Sequence, residues 1–400
     1  MIRFRSARVR SVNSERAIEE CLDIAFPNGG REECGAVIVN AALGHRLDRL
    51  GDALRRHLPN AFVTGSSCCG VVGREGVGES MHEVAIMCVC GDKKEYAVSS
   101  VRDIYGHNAY EKGLELAQGL RKAVPGASAA YLLCPGIDIA NDLVIKAFDE
   151  VFCEGEGVTL FGGTSSDNMR GLITMQYHDE TRSEHDAWVV GFADPSLKVV
   201  TRAAHGFTAY GEPMVVTKAE GHRIIELNGR PAWSEYLLRL ELPEDAHCGD
   251  SIPIGALAEE LPPRLAEEYG NGHILRVVTK FGEDGVMYYP VTCGAGLKLW
   301  LTQRDEELIF SEQQRALGDM KAEIRGGHPV AVFQTDCLAR GRFLFNKVVK
   351  DELIAMMQDA LSTPQGTPAW LGMYGFGEYA YLGGRNAYHN YSSALAALYR

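Results

Sequence analysis

The strongest constraint on the fold is a unit of strand, helix, strand and glycine-rich turn that occurs three times along the chain. In the first copy, an apolar strand at 36–39 precedes a helix that carries Leu47, Leu50, Leu54 and Leu58 at roughly helical spacing. A second strand at 61–64 then leads into a turn at 65–70. A helix joined to two strands by short loops predicts a parallel strand pair with a right-handed crossover.

The other two copies repeat this order. The pattern predicts strands at 130–134 and 158–161 around a helix at 140–152, with a turn at 162–166. It predicts strands at 330–335 and 369–373 around a helix at 347–361, with a turn at 374–378. Open α/β sheets bind ligands at the carboxyl ends of their strands, so we expect the three turns to form the wall of a pocket. The alternative is that these glycines only make tight turns.

Length and composition narrow the class of protein. A chain of 400 residues suits two or three domains, and the β-rich stretches between the repeats predict an α/β protein of mixed α+β type with mixed β-sheets. The formal net charge of −13 argues against nucleic acid or an anionic membrane as partner. We find no run of about 18 apolar residues, so we expect no membrane span.

Cysteine usage points to a cellular compartment. The 11 cysteines are odd in number and fall mostly in apolar strands, without a Cys-x-x-Cys pair. This pattern favours free thiols in a reducing compartment, so we predict a cytoplasmic protein. The basic stretch Met1–Arg10 has no apolar segment after it and therefore does not predict a signal peptide.

Several separate motifs, in a fixed order over roughly residues 30–395, resemble those of the FIST family of sensory proteins. They are Gly65-Ser66-Ser67-Cys68-Cys69-Gly70, Phe161-Gly162-Gly163, Gly211-Glu212-Pro213, Glu226-Leu227-Asn228-Gly229-Arg230-Pro231-Ala232, Cys337-Leu338-Ala339-Arg340-Gly341, Gly375-Phe376-Gly377-Glu378 and His389-Asn390. The resemblance implies a FIST N-terminal domain at 1–222 and a FIST C-terminal domain at 223–400. It also implies a ligand-sensing role, with amino acids as suggested ligands.

The same resemblance implies how the protein would act. We find no output segment such as a kinase or cyclase, so we expect a stand-alone sensory module that binds an amino acid or small carboxylate and signals to a separate protein partner. One bacterial branch of the family resembles a haem-bound nitric-oxide sensor. A haem-binding or metal-binding sensor is therefore an alternative hypothesis.

Two charged residues are the candidate polar anchors of the site. Arg340, which follows a strand end, could hold a ligand carboxylate through paired hydrogen bonds, or form a buried ion pair with Glu378 or Asp336. Glu378 could bind a ligand amine or hold Arg340. The full set of expected ligand-binding residues is Ser66, Ser67, Cys68, Cys69, Gly162, Gly163, Thr164, Cys337, Arg340, Gly377, Glu378 and His389.

The cysteines and histidines allow other chemistries. Cys68, Cys69, Cys134 and Cys337 follow repeat strands and could face one cavity as ligands of a soft metal ion or as a redox sensor. They could equally be buried thiols that pack as small apolar side chains. His205 is the best candidate for an axial haem ligand.

An enzyme is the less favoured hypothesis. A Cys337 nucleophile with His389 as its base would need the two side chains to lie side by side. The sequence has no G-x-S-x-G, no H-E-x-x-H and no P-loop motif.

Overall fold

The computed structural model describes residues 1–153, 157–168, 171–179, 181–341 and 346–400. Its helices and strands fall into three similar units and one insertion, taken here in chain order. The first unit consists of β1 (Arg3–Arg10), α1 (Ser14–Ala25), β2 (Cys34–Ala42), α2 (Leu47–His57), β3 (Phe62–Cys68), β4 (Val71–Gly73), β5 (Gly76–Gly78) and β6 (Glu83–Cys90).

The second unit follows the same order. It consists of β7 (Tyr96–Val101), α3 (Ala109–Ala123), β8 (Ala129–Cys134), α4 (Asn141–Val151), β9 (Thr159–Thr164), β10 (Gln176–His178), β11 (Thr181–Ser183) and β12 (Ala187–Phe192).

The third unit begins with β13 (Lys198–Ala204) and is interrupted by an insertion at 207–304. The insertion contains β14 (Phe207–Glu220), β15 (Arg223–Leu227), β16 (Arg230–Pro231), α5 (Ala232–Arg239), α6 (Cys248–Ser251), β17 (Leu257–Glu260), α7 (Pro263–Tyr269), β18 (His273–Arg276), β19 (Lys280–Phe281), β20 (Met287–Tyr288) and β21 (Lys298–Arg304). The third unit then continues with α8 (Glu306–Ile324), β22 (Pro329–Cys337), α9 (Leu338–Gly341), α10 (Lys347–Leu361), β23 (Ala369–Gly375), β24 (Gly377–Leu382), β25 (Arg385–His389) and β26 (Ser393–Tyr399).

The three predicted repeats are confirmed as parallel strand pairs. β2 pairs with β3, β8 with β9, and β22 with β23, each pair being connected through a helix. The helix α10 has the bounds predicted from the sequence. Asn346 caps its first turn by accepting a hydrogen bond from the N–H of Val349 at 3.1 Å.

Each unit donates a hairpin to the sheet of another unit. The strand orders are β1-β6-β2-β3-β10-β11, β25-β24-β9-β8-β12-β7 and β13-β26-β22-β23-β4-β5. The first unit therefore gives β4–β5 to the third sheet, the second gives β10–β11 to the first sheet, and the third gives β24–β25 to the second. This cyclic exchange makes three sheets of the same topology, and it confirms the mixed α+β class.

The three sheets face one another across a shared core. Alternate residues of each sheet point into it, among them Ile38, Tyr131, Trp188, Phe333 and Leu371, all at most 1% exposed. Helices cover the outer faces: α1 and α2 on the first sheet, α3 and α4 on the second, α8 and α10 on the third. The arrangement leaves the carboxyl ends of the parallel strands close together.

The expected domain boundary at residues 222 and 223 falls in the turn between β14 and β15, inside the insertion. Two of the three sheets combine strands from both sides of it. The boundary stays a prediction, and it does not separate one sheet from another. In the part of the chain that the structure describes, no helix combines the length and apolar character needed to cross a bilayer.

Candidate functional site

The turns that follow β3, β9 and β23 meet as predicted. The Ser67 hydroxyl donates to the carbonyl oxygen of Ser166 at 2.8 Å, and the Ser166 hydroxyl donates to that of Tyr374 at 2.6 Å. The N–H of Cys69 lies 3.3 Å from the same Tyr374 oxygen. Each of the three turns is thus bonded to the next.

The serines of the first turn are buried and engaged in structural hydrogen bonds. Ser66 donates to Asn40 Oδ1 at 3.2 Å, while Ser67 also accepts from the N–H of Met175 at 2.9 Å. Cys68 lies in the core shared by the sheets. These residues hold the turns together, and whether they also bind a ligand stays a prediction.

The glycines of the second and third turns allow two strands to approach closely. A Cβ on Gly163 would collide with the carbonyl oxygen of Gly377, and one on Gly377 would collide with the Tyr388 hydroxyl. Gly162 has a φ of 112°, which L residues rarely adopt, and Thr164 ends β9 fully buried. Close packing of β24 on β9 therefore explains these glycines without a ligand.

Arg340 is fully buried and forms its ion pair with Asp336. Its Nη1 donates to the two Asp336 carboxylate oxygens at 3.2 and 3.4 Å, and its Nη2 donates to Gln313 Oε1 at 3.2 Å. Of the two alternatives from the sequence, Asp336 is therefore the partner. The Arg340 Nε has no hydrogen-bond partner among the described residues.

Glu378 is held by Ser392 instead. Its Oε2 accepts hydrogen bonds from the Ser392 hydroxyl at 2.7 Å and from the Ser392 N–H at 3.2 Å. Complete burial raises the pKa of Glu378 well above its usual value, so its carboxyl group favours the protonated form. Its Oε1 finds no hydrogen-bond partner in the described part of the chain.

His389 lies opposite Glu378 in the ladder between β24 and β25. Its Nδ1 is 3.2 Å from the Tyr269 hydroxyl, and its Nε2 is buried without a hydrogen-bond partner among the residues described. Burial and the neighbouring Arg276 charge lower the pKa of His389 to about 3. The ring is therefore a neutral imidazole next to a neutral carboxylic acid.

The four thiols that follow repeat strands are divided among three apolar clusters, as expected for the alternative in which they pack as small apolar side chains. Cys68 lies in the central core and Cys134 in the core beneath α3 and α4, while Cys69 and Cys337 share a third cluster. Burial raises the pKa values of Cys68 and Cys134 to about 12. Among the described residues, no group of three or more His, Cys, Asp or Glu side chains is placed to hold a metal ion.

Cys337 lacks the environment of a nucleophile. It is buried, and burial raises the pKa of its thiol well above the usual value. An activated cysteine needs the opposite shift. The nitrogen Nδ1 of His389 faces Tyr269, so the structure does not support the thiol-enzyme alternative.

His205 does not fit the role of a haem ligand. Its Nε2 is 2.9 Å from the carbonyl oxygen of His273, and its Nδ1 accepts from the N–H of Phe207 at 2.9 Å. Both nitrogens are occupied, and the ring is fully buried beside Tyr269. Iron would have to break one of these bonds to bind here, so the structure gives no support to His205 as a haem ligand, and the haem alternative stays a hypothesis.

Sequence reasoning missed the residues that complete this polar cluster. They are Gln313 on α8, Tyr269 at the end of α7, Ser392 before β26, and Arg276, a buried cation whose Nη1 donates to the Tyr388 carbonyl oxygen at 2.7 Å. Of these residues, only Arg276 could have been noticed in the sequence, because it is a charged residue in the apolar strand His273–Arg276.

The chain matches two family domains along most of its length. The FIST N domain matches residues 35–230, and the FIST C domain matches residues 232–381. The chain belongs to the FIST family. This confirms the resemblance seen in the sequence, and it places the polar cluster in a family in which a sensory role is expected.

Two mycobacterial relatives of this FIST protein are described only as uncharacterized proteins. A protein of Mycobacterium tuberculosis (strain H37Rv) is 27% identical over 246 residues, covering 60% of this chain and 61% of the relative. A protein of Mycobacterium bovis is 26% identical over 249 residues, covering 60% of each chain. The match thus spans about three fifths of the length of these curated relatives.

Solved structures with some similarity include two cyanuric acid hydrolases. One is 9% identical with a TM-score of 0.38 and full coverage of both chains. The other, from A. caulinodans, is 8% identical with a TM-score of 0.39, covering 100% of this chain and 99% of that one. These TM-scores are low, so the likeness adds nothing to what the sheets of this FIST protein show.

Proposed function

We propose that this FIST protein senses a small polar molecule, an amino acid or a small carboxylate, in the buried cluster formed by Arg340, Glu378 and His389. The observation that carries the proposal is that each of these fully buried side chains keeps one polar atom without a hydrogen-bond partner among the described residues: Arg340 Nε, Glu378 Oε1 and His389 Nε2. A buried polar atom left unpaired costs about 1–3 kcal/mol, so a ligand that pairs all three would gain binding energy from them.

The chemistry of the three atoms favours an amino acid. Arg340 Nε can donate to a ligand carboxylate, and the ionised form of Glu378 can accept from a ligand ammonium group. His389 Nε2 can accept a further hydrogen bond when Nδ1 carries the proton. The three turns that meet here would carry the effect of binding into all three sheets.

The family also suggests a signalling role. We propose that the ligand-bound form is recognised by a separate protein partner. The cytoplasmic location expected from the cysteines belongs to the same proposal.

Titration calorimetry of the full chain with each of the twenty L-amino acids tests the site, with acetate as a probe that lacks the amine. We expect one or a few amino acids to bind and acetate to bind much more weakly. Glu378→Gln should abolish binding because the amide cannot carry the negative charge. Glu235→Gln alters another buried glutamate, on α5, and should leave binding unchanged. Absence of binding for every amino acid, or binding that survives in Glu378→Gln, would contradict the proposal.

A further inference from the structure

A cavity of about 260 Å³ lies at the seam between the insertion and the third unit. The insertion contributes Phe207, Tyr210, Ile254 and Arg304, and the third unit contributes Ala339 and Tyr391. Neither Arg340 nor Glu378 lines this cavity. It is therefore distinct from the buried polar cluster. Its volume is slightly below the range of about 300–1,000 Å³ that is usual for drug-sized ligands, which suits a smaller molecule.

Aromatic and aliphatic residues line the cavity together with the polar residues Thr302, Gln303 and Arg304. The rings of Phe207 and Tyr391 meet edge to face with centroids 5.6 Å apart. Tyr210 and Ile254 are 46% and 51% exposed, which is unusual for large apolar side chains. A wall of this mixed character favours a ligand that carries both a flat apolar group and a polar or charged group.

One cation stands beside this wall. Arg304 is exposed at the end of β21 and has no ion-pair partner among the described residues. It lies directly opposite Phe207 in the ladder between β14 and β21, so the two side chains leave the sheet on the same side. In a chain with a net charge of −13, an unpaired guanidinium here can recognise a carboxylate.

The inner wall is rigid. Tyr391 has a φ of 53°, in the left-handed region that few tyrosines adopt. Its hydroxyl donates to the carbonyl oxygens of Ile252 at 2.9 Å and Gly255 at 3.1 Å, which hold it in place. The next residue, Ser392, binds Glu378. The cavity is therefore preformed and lies close to the polar cluster.

We propose that this cavity binds a small aromatic carboxylate. Arg304 pairs with the carboxylate, and the aromatic ring packs against Phe207, Tyr210 and Tyr391. The site is separate from that of the proposed function, and its occupancy does not depend on Arg340 or Glu378.

The test uses benzoate as the probe and benzamide as a neutral molecule of the same shape, each titrated into the full chain and followed by NMR chemical shifts and calorimetry. We expect benzoate to bind at least about tenfold more tightly than benzamide, because charge-assisted hydrogen bonds are about twice as strong as neutral ones. Arg304→Gln should remove this preference, and Tyr210→Ala should weaken both probes. Arg264→Gln, at another exposed arginine, is the control and should change nothing.

Three results would overturn the proposal. They are equal affinity for benzoate and benzamide, no binding of either at millimolar concentration, and benzoate binding that is unchanged in Arg304→Gln. Arg304 and Tyr210 are surface positions, so we expect both variants to fold, and their melting temperatures verify this. Benzoate binding in Glu378→Gln should equal that of the wild type, which distinguishes this cavity from the polar cluster.

Discussion

The guanidinium of Arg340 and the carboxylate of Asp336 form an ion pair whose side chains are 0% and 2% exposed, with Nη1 and Oδ1 3.2 Å apart. An arginine cannot lose its proton inside a protein, whereas burial raises the pKa of Asp336 even beside this cation. The Arg340 guanidinium therefore stays charged in the protein interior, and Asp336 compensates its positive charge.

Asp336→Asn should destabilise the protein by about 3–5 kcal/mol, because it leaves the Arg340 guanidinium buried without a counter-charge. Urea unfolding followed by circular dichroism measures the change. Asp351→Asn is the control, since it breaks the exposed Lys347–Asp351 pair of the same i,i+4 spacing and should have a far smaller effect. Equal losses of unfolding free energy in the two variants would show that the buried ion pair stabilises the protein no more than the exposed one.

The hairpin exchange predicts that the two halves of the chain do not fold alone. A fragment of residues 1–222 lacks β24 and β25 of the second sheet and β22, β23 and β26 of the third sheet, and a fragment of residues 223–400 lacks β13, β4 and β5. Each fragment alone should show no cooperative thermal unfolding, and co-expression should restore a stable complex. A cooperative transition in the isolated N-terminal fragment would argue that residue 222 is a true domain boundary.

Gly163→Ala should destabilise the protein by about 1–3 kcal/mol, since the added Cβ collides with the Gly377 carbonyl oxygen and would push β24 away from β9. Gly318→Ala is the matched control. Nothing lies within 4 Å of a Cβ at that helical position, and alanine is the better helix former by about 1 kcal/mol. The two substitutions should shift the melting temperature in opposite directions, and a stabilising Gly163→Ala would refute the close approach.

His389 should make the free energy of unfolding decrease as the pH falls from 6.5 to 3. Its folded-state pKa is lowered to about 3, so in this range the unfolded chain binds a proton that the folded chain does not. Each pH unit well inside the window then costs about 1.4 kcal/mol of unfolding free energy. Between pH 7.5 and pH 5.5, the free energy of unfolding should fall further in the wild type than in the His389→Gln variant, which has no imidazole at this position. Between pH 7.5 and pH 8.5, the unfolding free energies of the two proteins should change alike. An identical acid dependence of the unfolding free energy in the two proteins would mean that folding does not lower the pKa of His389.

If an amino acid binds to Glu378, binding should release a proton. Burial raises the Glu378 pKa well above its usual value, and a ligand ammonium group would favour the ionised form. The affinity should therefore increase as the pH rises toward the raised pKa of Glu378. Calorimetry in two buffers of different ionisation enthalpy measures the released proton. Buffer-independent heats would indicate that Glu378 does not ionise on binding.

The sequence predicted the repeated units because their signals are local. Leucine spacing in α2 and the glycine turns act within a few residues, where side-chain periodicity and backbone conformation decide the structure. The same reasoning named Asp336 as one of two possible ion-pair partners of Arg340, and the structure shows that Asp336 is the partner. Family membership was also apparent from the order of the motifs.

The tertiary structure alone decided which strands pair and which polar atoms stay unpaired. β4 pairs with β23, which lies about 300 residues away along the chain. The two strands are joined by backbone hydrogen bonds, which do not depend on side-chain identity and so cannot be predicted from the sequence. The hydrogen bonds of His205 to the His273 carbonyl oxygen and from the Phe207 N–H involve backbone groups, which no side-chain pattern reveals. Glu378 and His389 likewise became neutral because the folded chain excludes water from them, and burial is a property of the whole assembly of sheets rather than of any one segment.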